Sequence, residues 1–389
     1  MDFELDEDQL ELQRVVRDVV ERECPPALVR AVVAGDDDGA DLWKTLVQLD
    51  WPSLTVPADA GGMGLSAIEL VVTLEELGRV ADPTPFLGTT SQYVPVVRAG
   101  AGDGDVRQQL LAEVCAGGTG AVAFAGGSDA VRAHRDPAGR WWLDGTARHV
   151  LDGDRADRIA VVADVVADVV ADVVADVDGE LDAGTVILVV ASSDVTATRT
   201  PTFDAALHVA DVAFDGVGVG RIEVDDDHAF HGPGIDRAVA RARDEAVTGL
   251  AAVTVGACQR ILDLVVAHVK ERHQFGVPIG SFQAVQHMAV DVHVAIERAR
   301  ALVHFAALAL AEDDDRSSLA ASMAKAAAGD AQRIAVRHGI QLFGGLGFTW
   351  ENDLQLFVRR AKAGELLLGN TAEHRARIAR SVLASGPVR

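Results

Sequence analysis

Two blocks with helical periodicity enclose a block that does not share it, and this change of period limits the fold more than any other feature of the 389 residues. Up to about residue 118 the pattern is helical: the run Gln9 to Val16 places apolar residues three and four apart, continuing through Val19 and Val20. A second helical pattern passes through Leu42, Leu46 and Leu49. Pro57 and Gly61-Gly62-Met63-Gly64 interrupt it, and Ser66 is suited to cap a helix running through Glu75 and Glu76. From about 119 to 225 the texture changes to short β-rich runs: Ala121 to Phe124, Arg158 to Val162, Thr185 to Val190 and Val209 to Phe214, punctuated by Gly, Asp and Pro. From about 232 helical spacing returns in four stretches, 241–272, 281–312, 316–343 and 351–384. The expected fold class is therefore α+β and multidomain. It has an N-terminal α-helical domain (1–118), a middle antiparallel β-domain (119–225) and a C-terminal helical domain (226–389).

A tandem Ala-Asp-Val-Val repeat runs from Ala163 through Val177. Its period of four fits neither strand alternation nor a stable helix stripe, because paired β-branched residues are poor helix formers. An in-frame expansion of a loop of the β-domain accounts for it. Calcium ligation by Asp164, Asp168, Asp172 and Asp176 is disfavoured, since calcium loops need tighter oxygen spacing and a turn glycine.

Charge narrows the partners. A formal net charge of −24 repels nucleic acid and anionic membranes. An anionic ligand would need basic residues gathered locally. No stretch of about 18 apolar residues lacks a charge, and the acidic start Met1 to Asp8 is unlike a secretory signal. Three widely spaced cysteines (Cys24, Cys115, Cys258) argue against a disulfide framework or a zinc cluster, and the histidines form no ligand-spaced pair, so no metal site and a cytoplasmic location are expected.

Several motifs resemble those of the acyl-CoA dehydrogenase family. Arg272-His273-Gln274-Phe275-Gly276-Val277-Pro278-Ile279-Gly280-Ser281-Phe282-Gln283, with Gln286 and Asp291, is similar to the family signature after a long helix. Gln341 to Leu354, then Arg359-Arg360-Ala361-Lys362, Leu368-Gly369-Asn370 and His374-Arg375, form a second match. Asp144-Gly145, Asp152-Gly153 and Ala156-Asp157 form a third. With Trp43, Pro57, Gly61-Gly62 and Glu75 to Arg79 the likeness covers essentially the whole chain. The Gly-Phe-Thr-Trp-Glu form most resembles actinobacterial members, including those acting on steroid side chains. The resemblance implies a C-terminal four-helix bundle and FAD as cofactor. A fixed guanidinium is the natural partner of its pyrophosphate, which by resemblance is Arg272, with Phe275 on the adenosine side. Gly344 and Gly345 permit close backbone approach to an anionic group. The remaining cofactor set is Gln274, Ile279, Phe282, Gln283, Gln341, Ser128 and Asn370. In the family Gln341 and the two glycines reach FAD held by a neighbouring subunit, which implies a dimer or tetramer.

The family removes an α-proton from an acyl-CoA thioester while hydride passes to flavin N5, and electrons continue to an electron-transfer flavoprotein. A carboxylate must stand within about 3 Å of that proton. Here the position of the usual glutamate is Leu368, and the alternative position on the preceding helix is Ala246. Val247 replaces an arginine of the acyl pocket, and Leu151 replaces a threonine that would reach N5. Glu245 and Asp244 are the candidate substitute bases, with Glu365 behind them; Tyr93, the only tyrosine, is expected to pack. Three functions stay open: a dehydrogenase with an unusual base, a subunit completing an oligomer whose homologous partner carries the base, and a different flavin reaction on the same fold.

Overall fold

A computed structural model of the chain describes residues 5–100, 105–124, 131–135, 140–165, 184–219, 229–230 and 234–384. The N-terminal part is helical: α1 (Glu7–Glu23), α2 (Pro26–Ala34), α3 (Ala40–Gln48), α4 (Ala67–Val80), α5 (Phe86–Gly88), α6 (Val94–Ala99) and α7 (Asp105–Cys115). Capping boxes start α1 at Asp6 with Gln9 and α4 at Ser66 with Glu69, the latter where the sequence suggested a cap. A π-helical turn, Thr89–Tyr93, joins α5 to α6.

The middle part is one eight-stranded sheet: β1 (Gly120–Phe124), β2 (Arg132–Arg135), β3 (Trp141–Leu151), β4 (Arg158–Val165), β5 (Thr185–Ala191), β6 (Thr196–Arg199), β7 (Val209–Val219) and β8 (Ala229–Phe230). The order is β6-β7-β3-β2-β4-β5-β8, with β1 on β4. Although mostly antiparallel as expected, the sheet is mixed. β1 and β2 both pair in parallel with β4, because they follow one another along the same edge of that strand. Both faces of the central strands are covered. Ile159, Val161 and Ala163 of β4 pack into one apolar cluster, while Ala160 and Val162 face a second, shared with α6 and α7. Double burial is why β4 and β5 read as unbroken apolar runs. Of the Ala-Asp-Val-Val repeat only Ala163 to Val165 lie in described strand; the rest, including Asp168, Asp172 and Asp176, lies outside the described residues, and Asp164 pairs in β4.

The C-terminal part contains α8 (Ile235–Glu271), a short hairpin of β9 (His273–Gln274) and β10 (Val277–Pro278), then α9 (Gln283–Ala311), α10 (Ser317–Phe343), α11 (Leu354–Leu366) and α12 (Thr371–Ala384). The stretch 351–384, expected as one helix, is two. Leu368 at φ 57° and Gly369 at φ 98° are left-handed and stop α11. Helix α8 is long and apolar enough to cross a membrane by composition, but 67% of that apolar window is buried inside the protein. It packs between α9, α10, α11 and the N-terminal α4. A Cβ on Gly256 would come 1.9 Å from the Glu75 carbonyl oxygen, so α4 and α8 touch backbone to backbone where glycine allows it.

Buried charge ties the three parts together. Arg360 of α11, 2% exposed, donates Nε to Asp204 Oδ2 at 2.6 Å, Nη1 to the Asp82 carbonyl at 2.7 Å and Nη2 to the Ala81 carbonyl at 3.1 Å. Arg300 of α9 pairs with Glu75, and Arg17 with Glu76. Removing one member of such a buried pair strands the other's charge. Arg360→Leu is therefore expected to lower stability by about 3–5 kcal/mol, read from urea unfolding. Adding Asp204→Leu should recover a good part of that loss; additive losses in the double variant would contradict the clamp.

Candidate functional site

A cleft of about 490 Å³ opens where the three parts meet. Val122 and Phe124 come from β1, Arg148 to Leu151 from β3, Thr200 to Phe203, Leu207 and Val209 from the segment around the start of β7, Gln92 from the π turn, and Ala363 and Leu366 to Leu368 from the end of α11. The walls are mainly aliphatic. Leu151 and Leu368, where the resemblance implies a threonine and a glutamate, both line this space. Among the described lining residues the only titratable side chains are Arg148 and His149; none is a carboxylate.

The backbone at Leu368 is held firmly. Lys325, 1% exposed on α10, donates Nζ to the carbonyls of Glu365 (3.0 Å) and Gly369 (2.9 Å), on either side of the break. Burial pushes its ammonium down to about 8. His374 of α12, fully buried, sets Nε2 3.1 Å from the Leu368 carbonyl, and burial depresses it to about 4. Gly364 lets α11 approach Thr254 of α8, where an added Cβ would meet Thr254 Oγ1 at 2.1 Å. Sequence reasoning missed Lys325. Its signal was a lone lysine, one of four in the chain, inside an alanine-rich helix.

The candidate bases lie elsewhere. Both Glu245 oxygens stand 2.6 Å from Arg98 Nη2, in a buried pair between α8 and α6. Asp244 accepts from Ser318 Oγ and borders a separate cleft with Arg237, Arg241 and Asp313; burial raises its pKa. Glu365 is engaged by Lys362 at 2.8 Å and by Thr371 at 3.2 Å. None of the three lines the cleft, nor does Ala246, which is wholly buried. Tyr93 packs in the core, and a Cβ on Gly120 would sit against its ring.

Most residues of the expected cofactor set gather at one end of the bundle. Stacking of His268 on Phe343 (4.4 Å, 14°) joins the ends of α8 and α10, from which the hairpin and the glycine turn project. Arg272, Gln274, Gln283 and Gln341 are exposed there, and the Arg272 side chain makes no hydrogen bond or ion pair among the described residues. Phe275, at φ 54°, is 92% exposed and meets Phe282 edge-on at 6.2 Å, while Ile279 packs on the core. Gly344 adopts φ 60°, ψ −136°, and a Cβ on Gly344 or Gly345 would meet nothing within 4 Å, so the backbone is open to a ligand. An unpaired guanidinium beside bare backbone suits a diphosphate. Asn370 is not with them: its Oδ1 caps α12, accepting from Ala372 N and Glu373 N. Ser128 lies outside the described residues. Among the described residues no cluster of three metal-ligating side chains occurs.

Residues 6–118 match the family model "Acyl-CoA dehydrogenase, N-terminal domain" and residues 232–383 match "Acyl-CoA dehydrogenase, C-terminal domain". Acyl-CoA dehydrogenase IpdE2 of Mycobacterium tuberculosis is 32% identical over 373 residues, covering 94% of this chain and 95% of that protein. The protein of the same name from Mycolicibacterium smegmatis is 30% identical over 370 residues, 94% and 96% of the two chains. In fold, the chain is similar to one from the ChsE4-ChsE5 complex of Mycobacterium tuberculosis, with TM-score 0.86 at 24% identity and 100% of both chains covered.

A histidine kept neutral by burial binds its proton only on unfolding. Between pH 6.5 and about 4 the unfolded chain takes up that proton and the folded chain does not, so stability falls as the pH drops through this window. The urea midpoint should decline over that range, and less steeply in His374→Gln. Parallel curves for the two proteins would show that His374 contributes nothing to the decline.

Proposed function

The chain belongs to the acyl-CoA dehydrogenase family, and from that premise we propose that it serves the FAD-dependent α,β-dehydrogenation of an acyl-CoA thioester as one half of a mixed assembly, in which a homologous subunit carries the catalytic carboxylate. One observation carries this reading: the cleft behind Leu368 and Leu151 presents no carboxylate among its described lining residues. Glu245 is spent on Arg98 and Asp244 on Ser318, which weighs against a substitute base within this chain.

FAD, when bound, supplies the hydride acceptor for the β-carbon. In this reading the chain contributes binding and orientation. Arg272 would hold the diphosphate, Phe275 would cover the adenosine, and the open backbone at Gly344 and Gly345, with Gln341 beside it, would admit the phosphates. This cradle is remote from the chain's own cleft. Thr254, which α11 touches, lies 17 residues before the end of α8, about 26 Å along the helix. That distance supports a cradle that serves a flavin seated in a neighbouring subunit, and the exposed Phe275 and Phe282 then become interface residues. The aliphatic walls of the cleft exclude water and accept an acyl chain, while Lys325 and His374 fix the wall at Leu368. The fold neighbour from Mycobacterium tuberculosis is part of a complex of two differently named chains, ChsE4 and ChsE5, which supports a two-chain assembly here. An electron-transfer flavoprotein as electron acceptor and a cytoplasmic location complete the proposal.

The test compares the purified chain alone with the chain co-purified with a glutamate-bearing homologue from the same genome. Loss of a positioned base costs on the order of 10²–10⁴ in rate. Acyl-CoA should thus bleach the flavin band of the mixed assembly at least about a hundredfold faster than that of the chain alone. Arg272→Ala in this chain should lower the flavin content of the assembly. Rapid bleaching by the chain alone would establish a self-sufficient dehydrogenase instead, and absence of flavin from both preparations would refute the reading.

A further inference from the structure

The buried wall of the cleft carries a polar group with no partner. Gln92 is 4% exposed, and among the described residues its side-chain amide makes no hydrogen bond. The hydroxyls of Thr89, Thr90 and Ser91 on the same π turn are hydrogen-bonded, while the Tyr93 hydroxyl is buried in the core without a partner. Thr90 Oγ1 donates to the Phe86 carbonyl at 2.8 Å and Ser91 Oγ to the Leu87 carbonyl at 2.7 Å, while Thr89 Oγ1 accepts from Gly120 N at 3.1 Å. Gln92 lines the cleft instead. The same cleft is lined by Val122, Val150, Leu151, Leu207 and Val209, all nearly inaccessible, whereas its Phe203 (51% exposed) and Leu366 (54%) reach the surface. The amide is therefore a lone donor and acceptor on an apolar floor.

The Gln92 amide keeps access to the cleft, and losing that water is costly unless a hydrogen bond replaces it. A π turn, itself uncommon, often marks a functional position. A ligand that fills the cleft with hydrocarbon alone would dehydrate the amide and leave it unsatisfied. One that places an oxygen there would satisfy it. We propose that Gln92 is a specificity-determining residue whose amide holds a hydroxyl or keto oxygen on the distal part of the acyl group seated in this cleft. The amide can donate to either oxygen and accept from a hydroxyl. The inference rests on the cleft being an acyl site, and it adds the class of acyl group: one oxygenated away from the thioester.

The test is isothermal titration calorimetry on the assembled protein with matched thioesters: hexanoyl-, octanoyl- and decanoyl-CoA and their ω-hydroxy counterparts, so that chain length scans the depth of the cleft. Sites built to hydrogen-bond a substrate oxygen discriminate strongly against analogues that lack it. At the length that reaches Gln92 the hydroxylated thioester should bind roughly ten- to a hundredfold more tightly than its parent. Gln92→Leu, introduced in this chain only, should reverse that order; Gln92→Met serves the same purpose if the branched side chain prevents folding. Three results would overturn the proposal: parents binding as well as hydroxylated partners at every length, a preference unchanged in both variants, or variants that lose flavin, which would assign the amide to the cofactor. If no thioester of either class binds, the reading of the cleft as an acyl site fails first and takes this inference with it.

Discussion

The guanidinium of Arg360 is the contact on which the site depends. It sits between the N-terminal helices, the β-sheet and the C-terminal bundle, and it bonds to groups of both neighbours: the Ala81 and Asp82 carbonyls on one side, the Asp204 carboxylate on the other. Its partners are also the roots of the cleft walls. Asp204 adjoins Phe203, and Arg360 lies three residues before Ala363 on the helix that leads into Leu368. A buried ion pair of this kind gives little net stability compared with an apolar substitute, but it tolerates few alternative arrangements. Here it sets the spacing between a sheet edge and a helix end, and that spacing is the cleft.

The same region separates scaffold from chemistry. Lys325 and His374 hold the left-handed turn at Leu368 through backbone carbonyls, with no need for any particular side chain at position 368. The turn is therefore held independently of the side chain that position 368 carries. The buried Arg360 and the partly exposed Arg300 and Arg17 are each matched to a buried carboxylate. Arg272 is exposed and unmatched among the described residues, as the proposed contact with a diphosphate requires.

Much of the architecture was legible in the sequence. The shift between periods of three to four and two located the helical and β parts, because those periods follow from local backbone geometry. Four strands and the long helices were visible for that reason. Strands β2, β3 and β6 were not recognised as separate runs, since their alternation is broken by exposed Arg, Thr and Gly residues on half-covered sheet. The break between α11 and α12 was also missed. Leu366-Leu367-Leu368 continues a helical pattern, and it is tertiary hydrogen bonds from Lys325 and His374 that hold Leu368 at positive φ.

By itself, the sequence determined the family and the order of its three parts, because both are matters of local pattern and register. Only the tertiary structure decided that Glu245 is held by Arg98, 147 residues away, that Arg360 meets Asp204 across 156, and that Gln92 faces an apolar cleft without a partner. Those facts depend on which distant side chains share a buried space, and no periodicity along the chain encodes that.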